Sequence, residues 1–132
     1  MADSFRDLVV WQKAMALATE IYRVTEAFPR AETYGLTNQL RRAVVAVPSD
    51  IAEGKGRLSK REFVQMLSRA RGSLFEVVTQ IEIGKNLEYV GEREFAQVSQ
   101  HCAEVGRLLN GLIRAIRQSL RAKSQEPRAN GL

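Results

Sequence analysis

The 132-residue sequence predicts an all-α fold, an up-down-up-down antiparallel four-helix bundle. Apolar residues recur at spacings of three and four through four separate stretches, the signature of amphipathic helices. Only three prolines interrupt the chain. The connections between the stretches are short, so each helix folds back beside the one before it. A chain of this size buries roughly two-thirds of its unfolded surface, enough for a single core. The expected organisation is one bundle domain over residues 1–123 and a flexible tail over 124–132.

The first helix is expected from Asp7 to about Phe28. Leu8, Trp11, Met15, Ala18, Tyr22 and Thr25 form one stripe, and Ala14, Leu17, Ile21, Val24 and Phe28 a second beside it, so the buried face is wide. Pro29 ends it by pushing the preceding residue out of the α region. After the turn at Tyr34-Gly35, the second helix places Leu36, Leu40, Val44, Val47 and Ile51 on one stripe, with Ala43 and Ala46 as a small face beside it. Pro48 falls inside this pattern. It deletes a backbone hydrogen bond and crowds the carbonyl four residues back, at a cost of roughly 3 kcal/mol in a free helix, so the second helix is expected to be distorted there. A left-handed glycine at Gly54 or Gly56 is expected to stop it.

Ser59 and Glu62 have the spacing of a capping box, and Leu58 and Phe63 that of a hydrophobic staple, at the start of a long third helix. Its seam is Phe63, Leu67, Ala70, Leu74, Val77, Ile81 and Gly84, and it ends near Glu88. The fourth helix starts at about Glu92 and buries Phe95, Val98, Cys102, Val105, Leu109, Leu112, Ile116 and Leu120. Gly72, Gly84, Gly106 and Gly111 are expected at close helix contacts or local bends. The second helix is shorter than the third and fourth, which leaves bundle surface for an oligomeric contact.

Twenty Lys and Arg against fifteen Asp and Glu give a net charge of +5, and most of the basic residues are Arg. Arginine suits bidentate phosphate contact, so the charge is compatible with a nucleic-acid partner, and equally with simple solubility. One cysteine excludes an intramolecular disulfide, and the absence of a long apolar run or a signal peptide leads to a cytoplasmic expectation.

The segments Phe5-Arg-Asp-Leu-Val-Val-Trp-Gln-Lys-Ala-Met15, Tyr34-Gly-Leu-Thr-Asn-Gln-Leu-Arg-Arg-Ala43, Val47-Pro-Ser-Asp-Ile-Ala-Glu-Gly54 and Gly72-Ser-Leu-Phe-Glu76 resemble the bacterial four-helix-bundle family encoded in intervening sequences of large-subunit ribosomal RNA genes, often labelled S23 ribosomal protein. The chain is similar also to the accessory variability determinant of diversity-generating retroelements. The resemblance implies a ring-like homo-oligomer, a pentamer, working with nucleic acid or with a protein partner such as a reverse transcriptase. Asp50 stands where the family often has Asn, which adds negative charge beside Pro48 and Ser49.

Three groups of residues are candidates for phosphate contact. Arg41 and Arg42 are adjacent and diverge by about 100° on a helix, so at least one reaches a surface; pairing with Asp50 or Glu53 is the alternative reading. Lys55, Arg57, Lys60 and Arg61 surround a glycine turn and the start of the third helix, whose free amides favour anions, or they line an ordinary solvated loop. Arg107, Arg114, Arg117 and Arg121 form a basic stripe on the fourth helix, which symmetry would multiply in a ring; a solvated face is the alternative. No cofactor motif occurs. His101 and Cys102 lack further ligands for a metal, and Ser49, Asp50 and Glu53 lack a histidine for catalysis, so a non-enzymatic role is expected.

Overall fold

The computed structural model describes residues 4–124. A 3₁₀ turn at Phe5–Asp7 leads into α1 (Val9–Thr25), and a second at Arg30–Glu32 precedes α2 (Leu36–Lys55). Two longer helices follow, α3 (Lys60–Asn86) and α4 (Glu92–Ser124). No strand occurs among the described residues. Each helix packs on its neighbours in the chain, α4 returns to α1, and neither diagonal pair brings its backbones as close. The four helices therefore stand at the corners of a square in chain order, as an antiparallel bundle with short connections requires. Apart from Ser124, the expected tail lies outside the described residues.

The core follows the predicted stripes closely. Leu17, Ile21, Leu40, Val44, Val47, Ile51, Leu67, Val77, Ile81, Val98, Val105 and Leu109 are fully buried. On α4, Ile113 is buried as well, while Leu112 is only partly so. The wide face of α1 divides. Its Ala14, Leu17, Ile21 and Val24 stripe enters the core, whereas Met15 and Tyr22 remain more than a third exposed beside α2.

Helix ends differ from the expected pattern for local reasons. A Ser4-capped 3₁₀ turn occupies residues 5–7, so α1 starts at Val9. Its last turn tightens as the amides of Glu26, Ala27 and Phe28 bond carbonyls three residues back. Gly56 caps α2 with φ −81°, in the right-handed region, because its amide is shared by the Ala52 and Glu53 carbonyls and the chain turns without changing hand. The left-handed residue is instead Glu88, at φ 63°. There the Tyr89 amide bonds the Gly84 carbonyl at 2.8 Å and the Glu88 amide bonds that of Lys85 at 2.9 Å, which is a Schellman closure of α3.

At the start of α3 only half of the capping box forms. The Glu62 amide donates to Ser59 Oγ at 3.1 Å, and the Ser59 hydroxyl turns to the Glu62 carboxylate. The staple does not form: Leu58 is fully exposed, and Phe63 packs on the core without it. Pro48 is buried, and α2 continues through it to Lys55. The expected distortion thus leaves the helix unbroken, although Pro48 supplies no amide to the Val44 carbonyl.

At the opposite end, Glu32 locks two connections together. One carboxylate oxygen accepts the Leu36 amide at 3.0 Å, capping α2, and the other accepts the Tyr89 hydroxyl at 3.0 Å. A Cβ at residue 35 would lie 2.6 Å from Glu32 Oε1, so glycine is needed beside this cap. Bonding to the Glu32 carboxylate holds the Tyr89 phenol above its ordinary pKa.

The glycines sort by contact. Gly72 and Gly111 have nothing within 4 Å of an added Cβ, and Gly106 meets only an ordinary contact at 3.5 Å, so the expected close approach is absent at all three. A methyl group on Gly84 would lie 3.1 Å from Phe28, and one on Gly54 would lie 2.8 Å from Met66 Cβ and 2.9 Å from Phe63. Equilibrium denaturation checks this division. Gly54→Ala is expected to destabilise the protein by about 1–3 kcal/mol through overpacking, and Gly111→Ala to stabilise it by up to about 1 kcal/mol.

Candidate nucleic-acid interface

The antiparallel order brings the C-terminal halves of α2 and α4 to the same end of the bundle as the N-terminal halves of α1 and α3. A contact across the bundle fixes this meeting point. Lys60 Nζ donates to Ser119 Oγ at 2.8 Å, so the start of α3 lies level with the last turns of α4. Arg71 Nη1 donates to Asn110 Oδ1 at 2.9 Å further along the same seam. The loop cluster and most of the α4 stripe, separate in sequence, are thereby one region.

Charge is divided accordingly. With each helix cut at its midpoint, the half containing this end (residues 4–16, 46–72 and 109–124) carries twelve Lys and Arg against four acids, Asp7, Asp50, Glu53 and Glu62. The other half (residues 17–45 and 73–108) carries seven Lys and Arg against nine Glu. The modest net charge of the whole chain thus conceals a strongly basic end and a weakly acidic one.

The individual candidates differ in how they are held. Arg61, Arg107, Arg114 and Arg117 are exposed and carry no ion pair among the described residues. Arg121 is exposed and has a contact of its own. Arg107, Arg114 and Arg121 recur every seven residues, which sets them along one side of α4 over about 21 Å at 1.5 Å per residue. In the loop, Lys55 is half-buried and Arg57 pairs with Glu53 one turn back. Glu62 places its own carboxylate beside the Ser59 cap, so an anion already complements the start of α3. The loop is consequently less open to a phosphate than its sequence implies.

Arg41 and Arg42 do not join this region. Arg41 stacks on the Tyr22 ring at 4.6 Å, and donates to Thr25 Oγ1 at 2.9 Å and to the Tyr22 carbonyl at 3.2 Å. It ties α2 to α1, and its partners are not the acids expected of it. Arg42 is exposed in the cleft between α2 and α3 with Glu76 and Gln80.

The other polar candidates are engaged locally. Ser49 donates its hydroxyl to the Val45 carbonyl at 2.8 Å, and His101 Nδ1 lies 2.7 Å from Glu20. Cys102 is buried in the core, and burial pushes its thiol up to about 12. No group of three potential metal ligands occurs among the described residues. No helix among them is long and apolar enough to cross a membrane.

The model of the 23S rRNA-intervening sequence protein family matches residues 6–111. The chain belongs to this family. It is similar in structure to a protein of unknown function from the S23 ribosomal protein family of Bacteroides thetaiotaomicron VPI-5482, with a TM-score of 0.72 and 20% identity over 80% of this chain and 98% of that one. At that identity the likeness establishes the shared fold. No curated protein matches the sequence.

Within this family member, Asp50 is a costly acid at the basic end. Burial raises its carboxyl above the ordinary value, the charge of Arg69 opposes this, and Glu53 adds to it. An acid whose folded pKa is raised binds its proton more tightly in the folded state, so its penalty is absent below the unfolded pKa and complete above the folded one. Asp50→Asn is therefore expected to raise the melting temperature at pH 7, with the gain shrinking as the pH falls through the raised folded value and absent below about 4. Thermal denaturation across that range measures it.

Proposed function

We propose that this protein is a non-enzymatic nucleic-acid-binding bundle that assembles into a homo-oligomeric ring, of five copies as the family resemblance implies, and holds structured RNA through phosphate contacts. The observation that supports this reading is the charge polarity along the bundle. Copies ranged side by side about an axis parallel to their helices would gather their basic ends on one rim and their acidic ends on the other. A rim of that kind attracts phosphate without reading bases, and binding releases counterions. Aromatic residues do not alternate with the arginines of α4, so contact is to backbone and shape rather than to stacked bases.

Binding of a structured RNA and of a DNA duplex, measured over a salt series, tests the reading. Affinity for the RNA is expected to fall linearly on a log–log plot against salt. Arg114→Glu with Arg117→Glu should weaken it by about tenfold or more and flatten the slope by about one for each phosphate no longer neutralised. Arg23→Glu, in the acidic half, should change little. Absence of binding at low salt, or binding indifferent to salt, contradicts the proposal. Tighter binding of the duplex would reassign the partner to DNA.

A further inference from the structure

One buried side-chain oxygen among the described residues has no hydrogen-bond partner, Oε1 of Gln80 on α3. Orphans of this kind are rare in folded proteins because each forfeits a bond that water would have supplied, so one beside a cavity points to a ligand. Gln80 lines a polar cleft of about 510 Å³ between α2 and α3. Ala43, buried, and Ala46, half-buried, line it as well, so the small face of α2 forms the floor of a cleft rather than the seat of another helix.

Opposite charges line this cleft without pairing. Arg42 on α2 and Glu76 on α3 are both exposed, and neither makes an ion pair or hydrogen bond among the described residues. Glu76 and Gln80 are four residues apart, which sets two acceptors on one face of α3. Asn38 and Arg42 have the same spacing and set donors on the α2 wall. The last torsion of a glutamine is broad, so the Gln80 oxygen turns toward an incoming donor at little cost. Tyr34, 93% exposed, adds an uncovered aromatic ring from the turn before α2.

We propose that this cleft binds an unpaired guanine base, presented by an RNA loop or by a free nucleotide. Guanine carries two neighbouring donors, N1–H and N2–H, on one edge, and two acceptors, O6 and N7, beyond it. The donors match the Glu76 carboxylate and the Gln80 oxygen, and the acceptors match the Arg42 guanidinium. Ala43 and Ala46 leave room for a flat ring, and the Tyr34 ring stacks on its open face, as aromatic side chains do with unstacked bases. Adenine fits badly, since its N1 would turn a lone pair toward the Glu76 carboxylate. Hypoxanthine, which lacks the N2 amino group, offers the α3 wall one donor instead of two. Arg42, Glu76 and Gln80 lie in the half away from the basic end, so the site is independent of the phosphate contacts proposed there.

Calorimetric titration of the full-length protein with guanosine, inosine and adenosine 5′-monophosphates, at salt high enough to screen the basic end, tests this. The guanine nucleotide is expected to bind about tenfold or more tighter than the other two. Glu76→Gln, at an exposed position, should retain its helical circular dichroism and weaken that binding by about tenfold or more. Tyr34→Ala should weaken it by about tenfold, and Tyr34→Phe should leave it unchanged. Two RNA hairpins sharing one stem, with loops of guanines or of adenines, separate the sources. A preference for the guanine loop that exceeds the preference among nucleotides assigns the base to RNA, and a nucleotide preference with equal hairpin binding assigns it to a free nucleotide. Equal affinity for all nucleotides and both loops overturns the proposal, as does guanine binding indifferent to Glu76→Gln. Binding of arginine methyl ester with no guanine preference also overturns it, and reassigns the cleft to a protein side chain. Each of these failures leaves the salt-dependent phosphate contacts at the basic end standing.

Discussion

The close seating of α2 on α3 sets the geometry of everything else. At one end the missing side chain of Gly54 lets the helix rest on Phe63 and Met66, and at the other the missing side chain of Gly84 makes room for Phe28 and Leu36. Between them Leu40, Val44, Val47 and Ile51 are wholly enclosed. Both anchors give the same residue count to the middle of each helix, so the register is determined twice over. Side chains this tightly interlocked do not slide, because interior packing at near-crystalline density leaves no room for an intermediate register.

From this register comes the charge polarity of the bundle. The basic end collects residues from α2, α3 and α4 that a different register would distribute along the bundle. Concentrating a dozen cations at one end of a small domain carries self-repulsion, and the four acids among them offset only part of it. Glu53 does so by pairing with Arg57, and Glu62 by attending the start of α3. A polyanion would relieve the remainder. The two functions proposed for the molecule therefore use different faces. In the proposed function the sides of the bundle would meet other copies, and one end would meet phosphate.

Much of the fold was legible in the residues because periodicity reports directly on burial. The seams of α2, α3 and α4 could be read almost residue by residue. The glycines were less legible, since a glycine in a helix signals equally a close contact, as at Gly84, or none, as at Gly72 and Gly111. Leu58 looked like half of a staple, but staple geometry depends on the direction of chain entry, which spacing does not contain. The second apolar stripe of α1 was visible, yet nothing local to it tells that Met15 and Tyr22 would line an open groove while Leu17 and Ile21 enter the core. For the candidate site, the basic residues were individually visible but their grouping was not. It depends on Lys60 meeting Ser119 across a separation of 59 residues, whereas Arg41 is claimed by the Tyr22 ring and Thr25.

The central claim is that the bundle's basic end, rather than any side of it, is where an anionic partner sits. Backbone amide chemical shifts followed by NMR during titration of the isotope-labelled protein with a structured RNA test this most directly. The account predicts that the perturbed amides cluster at residues 55–71 and 109–121, with residues 82–94 at the acidic end unchanged. Perturbations centred on residues 82–94, or confined to the groove between α1 and α2, would contradict it.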